Sequence, residues 1–331
     1  MSTRRLLPVF CLLVAAVTVV MTSCKDDDVN AEPVEIIRLD KVMLGYSDYD
    51  SAGRAKVRSR YAPAIKSMCR VLEMDSCGDA DLLLWNGSLP VQLFTPEILN
   101  VFPNTDSIAK VLGRIRWRVE KNNLKVPRYQ YVATAWGRSQ SIVFDDTIAL
   151  VALNHYLGAE NRVYDHWPQY IRALKRPDML PYDVLESALA TAYPYTPGEG
   201  GGTVLNRMLY EGAMAYAKMR LVPDATLENA LGFSREQLAD IRDNSQFVWN
   251  RLVSDKLLYS TDAAVIEALF RPMPSCSLIS PNAPGRVVRY TGYRMVSDYM
   301  EKMPDTELSY LLSPSFYSSS ETLRKAAYSG D

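Results

Sequence analysis

Ile108, Val111, Leu112, Ile115 and Val119 recur at spacings of three and four residues, which lays them in one apolar stripe along a helix from Asp106 to Asn122. Such a helix is stable only with its stripe against other elements, so the segment commits the chain to a packed helical layer. Further helical periods cover Tyr61 to Glu73, Pro96 to Val101 behind Thr95 as cap, Asp262 to Phe270 and Tyr290 to Met300. Asp183-Val-Leu-Glu186 reads as a capping box opening a helix to Tyr193. Thr203 opens a helix to Leu221, and Ser234, with Gln237 three residues on, opens a long one toward Lys256. Between these lie β-rich runs: "RYQYVATAW" (128 to 136), "SIVF" (141 to 144) and "TIALVAL" (147 to 153), with an extended lead-in from Val34. The expected fold class is α+β, mostly helical, with a small central sheet.

The N-terminus excludes itself from that fold. Arg4 and Arg5 precede an uncharged block from Leu6 to Met21, then Thr22-Ser23-Cys24, the order of a secretory signal. The block falls short of the ~20 residues needed to cross a bilayer and holds Pro8 near its start. Small residues followed at once by a cysteine resemble the bacterial lipobox, in which Cys24 takes the lipid and the signal is removed. Each buried CH₂ of an acyl chain contributes ~0.8 kcal/mol, so more than one chain gives stable attachment. Lys25-Asp26-Asp27-Asp28 resembles the short acidic signal of surface-exposed lipoproteins, a solvated spacer being the alternative. The expected organisation is a signal peptide over 1–23, a lipidated cysteine and acidic tether over 24–33, and a single domain over 34–331.

The mature chain loses two of 37 basic residues and none of 38 acidic ones, leaving 35 against 38 and a charge of about −3. Nucleic-acid binding rewards clustered positive charge and is not expected. With Cys24 lipidated, three thiols remain; Cys69 and Cys77 are a candidate disulfide, which leaves Cys276 free.

The chemistry of common enzymes is missing. His155 and His166 are the only histidines, so no His-Glu-x-x-His exists, and no Cys-x-x-Cys occurs. "GRSQS" fails the nucleophile elbow at its last position. "GEGGGT" follows prolines rather than a strand, lacks a lysine, and reads as a mobile loop. No metal and no cofactor are expected. What remains is Glu186 on one helix and Glu211, in "YEGAMAY", on the next. Glu211 has Met208 and Ala215 one turn away, and a carboxylate in such company needs a partner; Arg207, four residues earlier, is the nearest. Glu186 falls where a capping box places a glutamate. His155 and His166 stand beside Tyr156 and Trp167, suited to packing or capping, with an atypical site built from a histidine and the two glutamates as the alternative.

The order of "EIIRLDKVML", "YLGAENRVYDHWPQYI", "LNRMLYEGAMAYAKMRLVPDAT", "LGFSREQL", "FVWNRLVSDKLLYSTD" and "PGRVVRYTGYRMVSDYM" resembles the gliding-motility-associated lipoprotein family of the Bacteroidetes (GldB type) across almost the whole mature chain. The resemblance implies an outer-membrane lipoprotein, anchored through its lipid and exposed at the cell surface or facing the periplasm, with envelope proteins as candidate partners. A fainter similarity is to glutamate-zincin peptidases (gluzincins). Leu185 and Leu189 would stand at the two histidine positions around Glu186, and Glu211-Gly212 at the third ligand, with 21 residues between Leu189 and Glu211. That similarity implies a zincin-like scaffold with Leu185, Glu186, Leu189 and Glu211 as a vestigial site, because leucine cannot hold zinc. Three functions follow as expectations: non-catalytic binding or scaffolding; an atypical envelope hydrolase using Glu186 and Glu211; or a surface glycan or nutrient binder drawing on the twenty tyrosines and five tryptophans.

Overall fold

Val132 and Ala133 are neighbours on one strand yet sit in different cores, and that alternation organises the molecule. The computed structural model describes residues 27–136, 138–197 and 202–330. Cys24, the signal sequence and Gly198 to Gly201 of the glycine-rich loop lie outside that range. Four strands form one sheet: β1 (Ile36–Arg38), β2 (Gln130–Thr134), β3 (Ile142–Asp145) and β4 (Ile148–Ala152). Their order is β1-β2-β4-β3, with β1, β2 and β4 parallel and β3 antiparallel at one edge. Val132 pairs with Leu150 and Ala133 with Val151, so each central strand sends alternate side chains to opposite faces.

One face packs on Leu39, Met43, Tyr46, Ile65 and Met68, from the helices Leu39–Leu44 and Ala62–Leu72 and the turn between them. Cys69 and Cys77 form a disulfide beside this core, and Cys276 is a buried free thiol on the other side of the molecule. The other face carries the larger core, built from the helices Asp106–Lys121, Leu180–Ala192, Val204–Leu221 and Val288–Lys302. The architecture is α+β and mostly helical, as the periodicities indicate. The 106–121 helix buries Leu112, Ile115 and Val119, three of the five stripe residues.

Several local expectations need correcting. The lead-in from Val34 is extended for three residues only before it turns helical at Leu39. Thr95 is not a cap: the helix runs Leu89–Val101, and the Thr95 hydroxyl donates to the Val91 carbonyl at 2.6 Å inside it. The helix opened by Ser234 ends at Asp243, and a second, Ser245–Ser254, begins after Asn244. Asp183 does not open a capping box either. Its helix starts at Leu180 with Pro181 in the first turn, where a missing N–H costs nothing, and Asp183 sits in that turn near the positive end of the dipole.

The N-terminal segment is tied to the body. Residues 27–34 lie along the 106–121 helix, where the buried Asp28 carboxylate accepts from Arg118 at 2.6 Å and from Arg114 at 3.2 Å. Burial works against the Asp28 charge, and the two guanidinium groups outweigh it, holding the carboxyl below its usual range. The Val34 N–H adds a bond to the Ala109 carbonyl at 3.0 Å.

Candidate functional site

Glu186, freed from any capping role, reaches across two helices. Its carboxylate takes a short bond from Lys218 Nζ on the 204–221 helix and another, 3.1 Å, from Arg289 on the 288–302 helix. Lys218 and Arg289 are almost fully buried, at 2% and 6% side-chain exposure, whereas Glu186 keeps a third of its side chain open to a hollow. Arg289 also faces Glu211 at 3.2 Å and donates to the Leu231 carbonyl at 3.1 Å. Glu211 has the partner expected of it, Arg207 at 2.6 Å, whose guanidinium lies over the Tyr195 ring. The structure therefore brings Glu186 and Glu211 together through Arg289, in a chain Lys218–Glu186–Arg289–Glu211–Arg207.

The electrostatics follow from that chain. Burial by itself would raise the Glu186 carboxyl, but Lys218 and then Arg289 outweigh it and bring it down to about 2. Asp183, one turn earlier, has no such cation in contact: burial first, then the charge of Glu186, pushes it up to about 6, although the Tyr156 hydroxyl donates to it at 2.9 Å. Glu211 and Lys218 are seven residues apart on the 204–221 helix, two turns, and so share the side that faces Glu186 and Arg289.

The hollow beside Glu186 has a volume of about 310 Å³ and is lined by His155, Lys175, Asp183, Lys218, Arg286 and Arg289 among others. His155 is 1% exposed and both its ring nitrogens are bonded, Nε2 to the Arg138 carbonyl at 3.0 Å and Nδ1 to Lys175 Nζ at 2.5 Å. A ring that donates at Nε2 and accepts at Nδ1 is neutral; burial first, then Lys175, draws its pKa down to about 4. His166 packs edge-on to Trp167 at 5.6 Å and does not line the hollow.

Leu185 and Leu189 are both buried, and neither lines the hollow. Leu185 instead faces a narrow crevice with Ile115, Val119 and Tyr131. Among the described residues no group of three or more His, Cys, Asp and Glu side chains is placed to hold a metal ion. Lys218, Arg286 and Arg289 were missed in reading the sequence. For Lys218 alone a signal was present: a lysine two turns beyond Glu211 on a mostly buried helix requires a carboxylate, though which one depends on how the helices cross.

Fold and site together define a helical α+β body closed around a chain of buried ion pairs where three helices meet. The chain belongs to the gliding motility protein GldB family, whose family model matches residues 22–330. The match takes in Cys24 and essentially the whole body, so the protein is a gliding-motility-associated lipoprotein. No helix among the described residues is long and apolar enough to cross a membrane. No curated protein and no solved structure matches the chain.

Proposed function

We propose that the protein is an outer-membrane lipoprotein, held by acyl chains on Cys24 and displayed at the cell surface, that binds or scaffolds envelope partners without hydrolysing peptides. The observation that carries this reading is the state of Glu186. In a glutamate zincin that position supplies a general base beside two zinc-binding histidines. Here the flanking positions are Leu185 and Leu189, both buried, and the carboxylate is engaged by Lys218 and Arg289. A base held down at about 2 takes up a proton poorly near neutral pH. The likeness to a peptidase is one of element order alone, since Leu185 and Leu189 do not line the hollow that Glu186 faces.

The clamp on Asp28 adds a geometric consequence. Asp28 is four chain steps from Cys24, a reach of at most ~14 Å, so a lipid on Cys24 holds the body close against the bilayer. Palmitate labelling and membrane fractionation of wild type and Cys24→Ser, with a peptidase assay of the purified protein in zinc, test the proposal. The expected result is a labelled, membrane-bound wild type, an unlabelled, released variant and no peptide cleavage. Retention of the variant on membranes, or zinc-dependent cleavage by the wild type, overturns it.

A further inference from the structure

The hollow beside Glu186 holds more positive charge than the ion pairs consume. Lys218 and Arg289 are matched by Glu186 and Glu211, but two further cations line the same space. Among the described residues Arg286 has no ion pair, and the one hydrogen bond of its side chain is a long contact of 3.4 Å to the Gly232 carbonyl. Lys175 donates to the neutral ring of His155 and lies 4.7 Å from the centre of the Trp167 ring, contacts that orient an ammonium without neutralising it. Among the residues lining the hollow, Asp183 is the one acid besides Glu186; the Tyr156 hydroxyl donates to it at 2.9 Å, and it forms no ion pair with Lys175 or Arg286 among the described residues.

The two further cations form no ion pair among the described residues, and burial outweighs the more distant carboxylates that act on them, Asp183 on Lys175 and Glu186, Glu211 and Asp183 on Arg286. Burial draws the Lys175 ammonium down to about 8. Burial, and then the neighbouring charge of Arg289, brings the Arg286 guanidinium down to about 10. Arg286 also sits in the left-handed backbone region, at φ 63°, a conformation that costs a non-glycine residue free energy and that clusters at ligand-binding sites. The hollow is not closed. Tyr170, Leu174 and Gly232 line both it and a larger groove of about 900 Å³ that continues past Phe233 and Ala173 to Pro274. The outer groove offers mostly apolar and uncharged polar surface to a molecule whose charged end is inside; its one cation, Arg176, already faces Asp178 at 3.6 Å and donates to the Asn229 side chain at 2.7 Å.

We infer that this cleft binds an elongated organic anion, its carboxylate or phosphate group received in the inner hollow by Arg286 and Lys175 and its body lying along the outer groove. An arginine fork matches either oxoanion, and a buried lysine supplies the second charge. The inference goes beyond the scaffolding proposal and does not depend on it, since a ligand site of this kind is compatible with either the presence or the absence of hydrolysis.

The test uses the lipoprotein purified from membranes in detergent, titrated calorimetrically with four probes: inorganic phosphate, acetate, tri-alanine with a free carboxyl, and tri-alanine amide. The expected result is binding of the free-acid peptide or of phosphate, at least tenfold stronger than of the amide. Peptide without phosphate identifies a carboxylate ligand, and phosphate without peptide a phosphate ligand. Arg286→Gln is expected to weaken the bound probe at least tenfold, and Lys175→Met likewise, with each variant's thermal midpoint measured to show that it is folded. Should one variant fail to fold, the other decides. No binding of any probe at 10 mM, equal binding of acid and amide, or unchanged affinity in a folded variant overturns the inference.

Discussion

Gly212 and Gly292 meet where the 204–221 and 288–302 helices cross. A Cβ on Gly212 would lie 2.2 Å from the Gly292 carbonyl oxygen, and one on Gly292 would lie 2.0 Å from that of Met208. Neither obstacle is a side chain that could swing away. The close crossing brings Arg289, one turn before Gly292, within reach of Glu211 and Glu186. The glycines of "YEG" and "GYRM" thus have one packing cause.

Gly212→Ala and Gly292→Ala are therefore expected to destabilise the protein. The helix-propensity gain of about 1 kcal/mol is outweighed by forcing two backbones apart, which costs about 1–3 kcal/mol or more. Urea unfolding should show a net loss of about 2 kcal/mol for either variant, with little change for Gly45→Ala, whose nearest obstacle is 3.9 Å away. Equal stability of all three would mean that the helices do not approach so closely.

His155 sets an acid limit. Its pKa is lowered in the folded state, from 6.5 to about 4, so the unfolded chain binds the proton more readily between those values. The stability it contributes is fully present above pH 6.5 and is lost as pH falls toward 4, a difference on the order of 3 kcal/mol from the size of the shift. Asp183 works the opposite way. Its pKa is raised from 3.8 to about 6, so its contribution is fully present below 3.8 and is lost as pH rises to 6. His155→Gln should remove the acid-side loss, and denaturant midpoints across pH 4 to 7 would then fall less steeply toward acid than in wild type. Parallel curves would mean that His155 binds its proton equally well in the folded and unfolded chain, and the buried neutral ring would be ruled out.

Asp28 should govern the order of the N-terminal segment. Its two bonds to Arg114 and Arg118 are charge-assisted, each worth about 1.5–3 kcal/mol, and Asp28→Asn weakens both. The expected result is at least a tenfold rise in amide hydrogen exchange around Val34, whose N–H is bonded to the Ala109 carbonyl. Unchanged protection there would mean that the segment is held by other contacts.

The sequence was informative wherever one periodicity decided the structure. The 106–121 helix, the strand regions around β2, β3 and β4, and the 204–221 helix behind Thr203 follow from apolar spacing and one capping residue. It was silent at Ser51–Arg60, a helix that buries no residue and so has no stripe to show. It misled at Asp183, where two acids three residues apart imitate a cap inside a helix already begun. Pro181 marked the true start. The Arg207–Glu211 pair was legible because both members lie on one helix, one turn apart. Lys218 and Arg289 reach Glu186 from other helices, and a contact between residues 32 and 103 positions apart depends on how those helices cross.

The buried ion pairs are tested most directly by a double-mutant cycle on Glu186→Gln and Lys218→Met, followed by urea unfolding at pH 7. Removing Glu186 alone leaves Lys218 buried without its counter-charge, a loss of about 3 kcal/mol or more, and removing both relieves that charge. The double variant should cost less than the sum of the singles by about 2 kcal/mol or more. The acid-side stability that wild type loses as pH falls from 4.5 toward about 2 should be missing once Glu186 is gone. Costs that add to within about 0.5 kcal/mol would show that Glu186 and Lys218 do not act on one another, and the ion-paired reading of this site would fail.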